Sequence, residues 1–292
     1  MFQLDGEFDI CYWISRFLNL EDLVNFGLVG YPETNFAIKR NIRINKPEKI
    51  CTLLAENGCL ELLEYAINHK CSCDVWTSLT AIENGHLECL KLILKYNCPY
   101  SECVISSAVN YGRFDCLKLL LEHGCYCDKW ATIYAAGYGH IEYLKLLLDR
   151  NCPCNKKTIK YAILSGHLDC LKLLLDRGCP CDECATRSAA LNGHFDCLKL
   201  LLDHNCPCDE NAIEYAARNG YFECLKLLLE HNCPYNRWSL ICATNNDHFN
   251  CLKLLLDHNC PNNKRALIRA TEGEHFDCLK LLHEYNYSYN PF

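Results

Sequence analysis

Long apolar runs are missing from this chain. Nowhere in its 292 residues does an uninterrupted hydrophobic stretch approach the roughly 18 residues that a membrane-spanning helix requires. Excess positive charge is missing too: Lys and Arg total 29 against 36 Asp and Glu, a formal net charge of −7. That balance argues against a nucleic-acid partner, whose phosphates call for basic surface. The opening residues Met1-Phe2-Gln3-Leu4-Asp5-Gly6-Glu7 lack the basic stretch that begins a secretory signal, so an intracellular, cytoplasmic location is expected. Absent as well are a Gly-rich phosphate loop, a Ser elbow and an HExxH string. No strand signal appears. Neither an enzyme, a membrane protein nor a β-protein is expected, and no cofactor is called for.

What fills the chain instead is one 27-residue motif written nine times, in a single frame from Pro47 to Tyr289. Its anchor reads Gly85-His86-Leu87-Glu88-Cys89-Leu90-Lys91, then Gly166-His167-Leu168-Asp169-Cys170-Leu171-Lys172, then Gly193-His194-Phe195-Asp196-Cys197. The glycine or its substitute falls at 58, 85, 112, 139, 166, 193, 220, 247 and 274 with no insertion. A fixed period of this size means stacked supersecondary units, none able to bury its apolar face alone. The expected organisation is therefore a helical segment over 1–46, the repeats over 47–289 and a tail over 290–292.

The 26 cysteines look at first like a secreted disulfide scaffold, but such scaffolds are short and irregular. Here they form columns of the repeat. One is Cys89, Cys116, Cys170, Cys197, Cys224, Cys251 and Cys278, broken by Tyr143; a second is Cys71, Cys98, Cys125, Cys152, Cys179, Cys206, Cys233 and Cys260. The third is Cys73, Cys127, Cys154, Cys181 and Cys208, with Tyr100 and Tyr235 in its gaps. Tyr substitutes in an intact frame fit buried packing positions better than obligate bridges, so reduced thiols acting as small apolar side chains are expected. A zinc site is not expected: Cys181 and Cys184 form one close pair with no second pair at finger spacing. The neighbouring His204 also becomes Arg150 and Arg177 in other units while the cysteines persist.

Within one unit, Asp182 to Cys208, the residues spell helix, tight turn, helix, short loop. An N-cap opens it, matched elsewhere by Asp74, Ser101, Asp128, Asn155, Asp209, Asn236 and Asn263, whose side chains accept a backbone N–H left unpaired in the first turn. The eighth position is Ala in all but the first unit: Ala81, Ala108, Ala135, Ala162, Ala189, Ala216, Ala243 and Ala270. A side chain that small lets two helix backbones approach. The turn glycine then supplies the left-handed conformation past the helix end. The second helix, with Phe195, Cys197, Leu198, Leu200, Leu201 and Leu202, is apolar nearly all round and must be buried on two flanks. It stops at Asn151, Gly178, Asn205, Asn232 or Asn259, each followed by Cys-Pro, which cannot continue a helix. The end units differ: Pro47 to Cys73 is the most divergent, Asp247 and Glu274 replace the glycine, and Tyr287 and Tyr289 replace cysteines.

The string Tyr134-Ala135-Ala136-Gly137-Tyr138-Gly139-His140-Ile141-Glu142, with the following Leu-rich helix, resembles the ankyrin repeat. Ankyrin units are usually about 33 residues, so the resemblance implies an all-α solenoid of stacked helix-turn-helix units with hairpins shortened or absent. Short cysteine-rich arrays of this kind look like the ankyrin proteins encoded by giant DNA viruses of amoebae, which implies a host protein as target. In the amino-terminal segment, Ile14-Ser15-Arg16-Phe17-Leu18-Asn19-Leu20-Glu21-Asp22-Leu23 and its continuation to Val29 resemble the second half of an F-box. That resemblance implies docking on a Skp-type adaptor of a cullin–RING ubiquitin ligase, with Ile14, Leu18, Asp22 and Leu23 as the adaptor-binding positions. A helical cap over the first repeat, built on Ile10, Trp13, Ile14 and Phe17, is the other reading, and the two are compatible.

The recurring His86, His140, His167, His194, His248 and His275 are too many to be a catalytic base, which is usually single and paired. They are expected to bond backbone across adjacent turns. The varying positions carry more functional information. In each first helix, positions five, eight and nine stay small or apolar, whereas three, six, seven, ten and eleven change and share the other face. The residues expected to bind a partner are Trp76, Trp130, Ile133, Tyr134, Lys157, Lys160, Tyr161, Arg187, Glu214, Tyr215, Arg218 and Trp238. Exposed Trp, Tyr and Arg are the types enriched in binding hot spots. The expected function is a monomeric, non-enzymatic scaffold that holds a protein, either as a ligase substrate receptor or as a module that sequesters its partner.

Overall fold

The computed structural model describes residues 49–261 and 264–289, and before them only Asn35, Ile38 and Lys39. The amino-terminal helices expected within 1–46, the adaptor-binding positions Ile14, Leu18, Asp22 and Leu23, the N-cap Asn263 and the tail lie outside the described residues. Among the described residues 18 helices follow one another with no strand between them. They belong to two compact units, 1–131 and 132–292. The first unit stacks three helix pairs: α1 (Ile50–Glu56) with α2 (Leu60–Asn68), α3 (Val75–Asn84) with α4 (Leu87–Lys95), and α5 (Val104–Asn110) with α6 (Phe114–Glu122). The division falls inside α7 (Lys129–Gly137).

The second unit opens on the rest of α7, followed by α8 (Ile141–Asp149). It continues through the pairs α9 (Lys156–Leu164) with α10 (Leu168–Asp176), α11 (Glu183–Asn192) with α12 (Phe195–Asp203), and α13 (Glu210–Arg218) with α14 (Phe222–Glu230). It ends with α15 (Arg237–Asn245) against α16 (Phe249–Asp257) and α17 (Lys264–Glu272) against α18 (Phe276–Tyr289). Within each unit odd-numbered helices pack on odd-numbered neighbours and even on even.

Local chemistry explains the pairs. Asp74 accepts the Thr77 N–H at 3.0 Å and Asn155 accepts that of Lys157 at 2.9 Å, caps worth about 1 kcal/mol each. The backbone N–H groups of the same two residues donate to Thr77 and Thr158, closing capping boxes. Burial disfavours the charged Asp74 carboxylate, but hydrogen bonds from Thr52 and Thr77 outweigh it and hold its pKa below the ordinary value. Every Ala of the eighth column is 0% exposed, as close approach of odd helices demands. In the even helices Leu90, Leu117, Leu144, Leu171, Leu198, Leu225 and Leu252 are also fully buried, each worth about 1.5–3 kcal/mol.

The turn between paired helices has two requirements at once. Gly139 has φ 72°, and a Cβ there would lie 2.6 Å from Nδ1 of His167 one repeat on. The same ring position serves a second purpose where His86 donates from Nε2 to the Glu56 carbonyl and His248 to that of Arg218, each at 3.0 Å. Arg113 substitutes in its own repeat, donating to the Glu83 carbonyl at 2.6 Å. Asp247 and Glu274 hold the left-handed conformation, φ 56° in both, without glycine.

The final helix differs from its predecessors: α18 runs on to Tyr289, with Tyr287-Ser288 where most repeats have Cys-Pro. One expectation, on cysteine, needs correction in part. The packing reading of cysteine holds for the first column, whose members are at most 3% exposed. Burial pushes the thiols of Cys89, Cys170, Cys224 and Cys251 up to about 11. It fails for Cys154, bonded to Cys179, and Cys208, bonded to Cys233. The last residue of one repeat stands beside the first Cys of the next Cys-Pro turn. Their Cα atoms are 6.0 and 5.9 Å apart, inside the span of about 4.4–6.8 Å that a disulfide bridges.

Candidate interaction surface

At about 100° per residue, positions four, five, eight and nine of each odd helix share one arc, and positions three and ten lie opposite it. In α9 that inner arc is Thr158, Ile159, Ala162 and Ile163, all buried. Position four is therefore part of the stacking face, where sequence periodicity alone names only five, eight and nine. On the outer arc Trp76 is 62% exposed in the first unit, with Trp130 at 40%. In the second unit Tyr161 is 43% and Trp238 45% exposed, and Lys157, Lys160 and Arg218 are exposed beside them.

Positions six and seven sit on the flanks of this arc, about 60° from the buried side at the nearer edge, so residue identity decides which way they turn. Lys160 faces solvent, while Tyr134, Arg187, Glu214 and Tyr215 are half-buried. Ile133 turns fully inward at 1% exposure, which removes it from the surface. An isoleucine on a flank gains by burial what a lysine there would lose. Two outward residues were overlooked at position ten: Leu164 and Leu191 are 42% and 41% exposed. They occupy the column of Arg218, and that shared register was the signal that could have found them.

The second unit also shows how its charges are held. Arg187 pairs with Asp209, whose carboxyl is opposed by burial but held below the ordinary range by hydrogen bonds from Arg187 and Asn211. The Nε of Arg187 is buried without a hydrogen-bond partner. Arg218 reaches Glu214 at 3.0 Å and lies over the Tyr215 ring, 5.6 Å from its centroid. Arg265 stacks over Trp238 at 5.3 Å. Glu214, Arg218, Trp238, Ile241, Cys242 and Arg269 are among the residues lining a shallow groove of about 320 Å³. Flat aromatic faces beside guanidinium groups suit peptide or protein surfaces: the rings carry large contact area on two torsions, and the guanidinium groups stack and hydrogen-bond. Among the described residues no group of three or more His, Cys, Asp or Glu is arranged to hold a metal, and no helix is long and apolar enough to cross a membrane.

A stack of helix pairs with a constant inner face and a varied outer one defines a repeat-built recognition scaffold. A family model described as ankyrin repeats (3 copies) matches residues 51–131, 108–186, 179–239 and 235–292, together spanning 51–292. The chain belongs to the ankyrin repeat family, and its fold is an all-α repeat solenoid. Among solved structures, the ankyrin repeat domain of human ASB11 is similar, at 22% identity over 53% of this chain and 82% of that chain, with a TM-score of 0.47. The comparison with curated proteins found no match. Ankyrin repeats are a protein–protein interaction module of a generally non-enzymatic family, so a protein partner follows from membership.

Proposed function

We propose that this chain captures a protein partner on the outer face of its odd-numbered helices and performs no chemistry on it. The observation that carries the reading is that each unit exposes aromatic or cationic side chains at positions three and ten of its odd helices: Trp76 and Trp130 in the first unit, and Lys157, Arg218 and Trp238 in the second. In the second unit Tyr161 is exposed beside them. Trp76, Trp130 and Trp238 are 40–62% exposed, and tryptophan is among the residue types most enriched in binding hot spots.

The F-box-like string supports a finer reading, a substrate receptor that docks a Skp-type adaptor through Ile14, Leu18, Asp22 and Leu23 while the repeats hold the target. Purified adaptor and full-length chain in a pull-down test this part. Binding that disappears on Asp22→Ala and Leu23→Ala supports it. No binding, or binding indifferent to both changes, leaves the repeats as a module that holds or sequesters its partner. The capture reading is tested separately, by affinity purification with the wild-type chain and a variant carrying Trp76→Ala, Trp130→Ala and Trp238→Ala. A partner retained equally by both contradicts it.

A further inference from the structure

Position 27 of one repeat and position 25 of the next recur beside each other along each unit, and the sulfur chemistry at these joints differs from one to the next. Cys154–Cys179 and Cys208–Cys233 are closed. Cys73 shares a hydrogen bond with Cys98, and Cys181 with Cys206, while both pairs remain thiols. Each of these four pairs has the same 25-residue separation, and Cys127 and Cys152 repeat that spacing in the sequence. Where position 27 is Tyr100 the hydroxyl bonds the Cys125 thiol instead, and where it is Tyr235 the hydroxyl donates to the His258 carbonyl at 2.8 Å. Sulfur is therefore optional at the joint as a packing group, yet it is paired wherever both positions carry it within a unit.

We propose that these joints form a ladder of redox-operated staples between neighbouring repeats, and that Cys73/Cys98 and Cys181/Cys206 close to disulfides by exchange with a small-molecule disulfide of the glutathione class. The geometry is already in place. The two closed joints bridge the same pair of repeat positions at Cα separations of 6.0 and 5.9 Å, and the two open ones hold their thiols in hydrogen-bond contact. Access is also provided. Position 25 is buried at every joint, but Cys73 and Cys181 at position 27 are only half-buried, so a small disulfide can reach one sulfur of each pair.

The exchange balances without any group from outside the proposal. The thiol of Cys181 loses its proton to solvent, and the thiolate attacks one sulfur of glutathione disulfide. A protein–glutathione bond forms as the glutathione S–S bond breaks, and one glutathione thiolate leaves. Cys206, on losing its proton, attacks Sγ of Cys181 and displaces the second glutathione. Two protein thiols are oxidised to one disulfide, and one glutathione disulfide is reduced to two thiols. The hydrogen bond within the pair raises the Cys181 pKa and lowers that of Cys206, which leaves the resolving sulfur the readier thiolate. In the first unit Cys51 also hydrogen-bonds Cys73, whose thiol is pushed up to about 12. The buried first-column cysteines have no partner sulfur at this spacing and stay outside the ladder.

The test uses the full-length chain equilibrated in glutathione buffers from fully reduced to strongly oxidised, with free thiols trapped by alkylation and linkages mapped without reduction by mass spectrometry. The expected result is a Cys181–Cys206 linked peptide and a Cys73–Cys98 linked peptide that grow with oxidation, while Cys89, Cys197 and Cys251 remain alkylatable after denaturation. Cys206→Ser should trap Cys181 as a glutathione mixed disulfide that never resolves, with helicity unchanged as the control for folding. Two results overturn the proposal. One is that both pairs stay fully alkylatable under conditions that keep Cys154–Cys179 and Cys208–Cys233 linked. The other is that wild-type Cys181 accumulates as the glutathione adduct just as Cys206→Ser does.

Discussion

The odd and even helices of each repeat differ in what they hold constant. Helices α10, α12, α14 and α16 read Leu-Lys-Leu-Leu-Leu after their cysteine, almost letter for letter. Their counterparts α9, α11, α13 and α15 share only the small residues of the inner face, such as Ala162, Ala189, Ala216 and Ala243. The even helices are buried between neighbours and have little freedom, since a core position tolerates neither cavity nor excess volume. The odd helices keep the face that touches neighbours and vary the one that does not. Architecture is thus assigned to one helix of each pair, and recognition to the outward side of the other.

That division can be broken from the architectural side first. Leu198→Ala removes a fully buried side chain from α12 and should cost about 2–5 kcal/mol, seen as a lower midpoint in chemical denaturation; a near-neutral result would mean the even helices are loosely packed. Reduction of the staples comes next. Each closed joint spans 25 residues, and removing one should cost about 3 kcal/mol by the loop-entropy estimate. Cys208→Ser compared with wild type, under oxidising and reducing conditions, checks this: the difference should vanish when both are reduced.

Smaller effects sharpen the account of the turns. His248→Ala removes the bond to the Arg218 carbonyl and should cost about 1 kcal/mol, whereas Lys253→Ala on the exposed side of α16 should be near zero. Acid should act mildly through the N-caps. Asp74 and Asp209 have native pKa values below the ordinary carboxylate value. Their contribution is therefore full above the unfolded value of about 3.9 and is lost as pH falls through the lower native values. Acid titration followed by circular dichroism should show Asp209→Asn reducing that loss, since asparagine still caps but does not titrate.

Much of this was legible in the sequence because the repeat says the same thing nine times. The Ala column, the turn glycines and the Asn or Gly that ends most even helices all announce a backbone requirement directly. The misjudged features share one cause, that they depend on how repeats are rotated and stepped against each other. Cys154 and Cys179 belong to different columns, and only the rise from one repeat to the next brings position 27 beside position 25. Ile133 sits on a helical flank where a change of identity moves a residue from surface to core. Leu164 and Leu191 were passed over because aliphatic residues on a first helix read as core until their register is counted.

The central claim is that the outer face of the odd helices holds the partner and the even helices do not. The direct test is to isolate the partner with the wild-type chain and measure its affinity for two variants of equal helicity. One carries Trp76→Ala, Trp130→Ala and Trp238→Ala; the other carries Lys172→Ala, Lys199→Ala and Lys226→Ala on the exposed side of even helices. The account predicts a loss of at least about 2 kcal/mol, some 30-fold, for the tryptophan variant and no more than about twofold for the lysine variant. The reverse pattern, or equal losses in both, would contradict it.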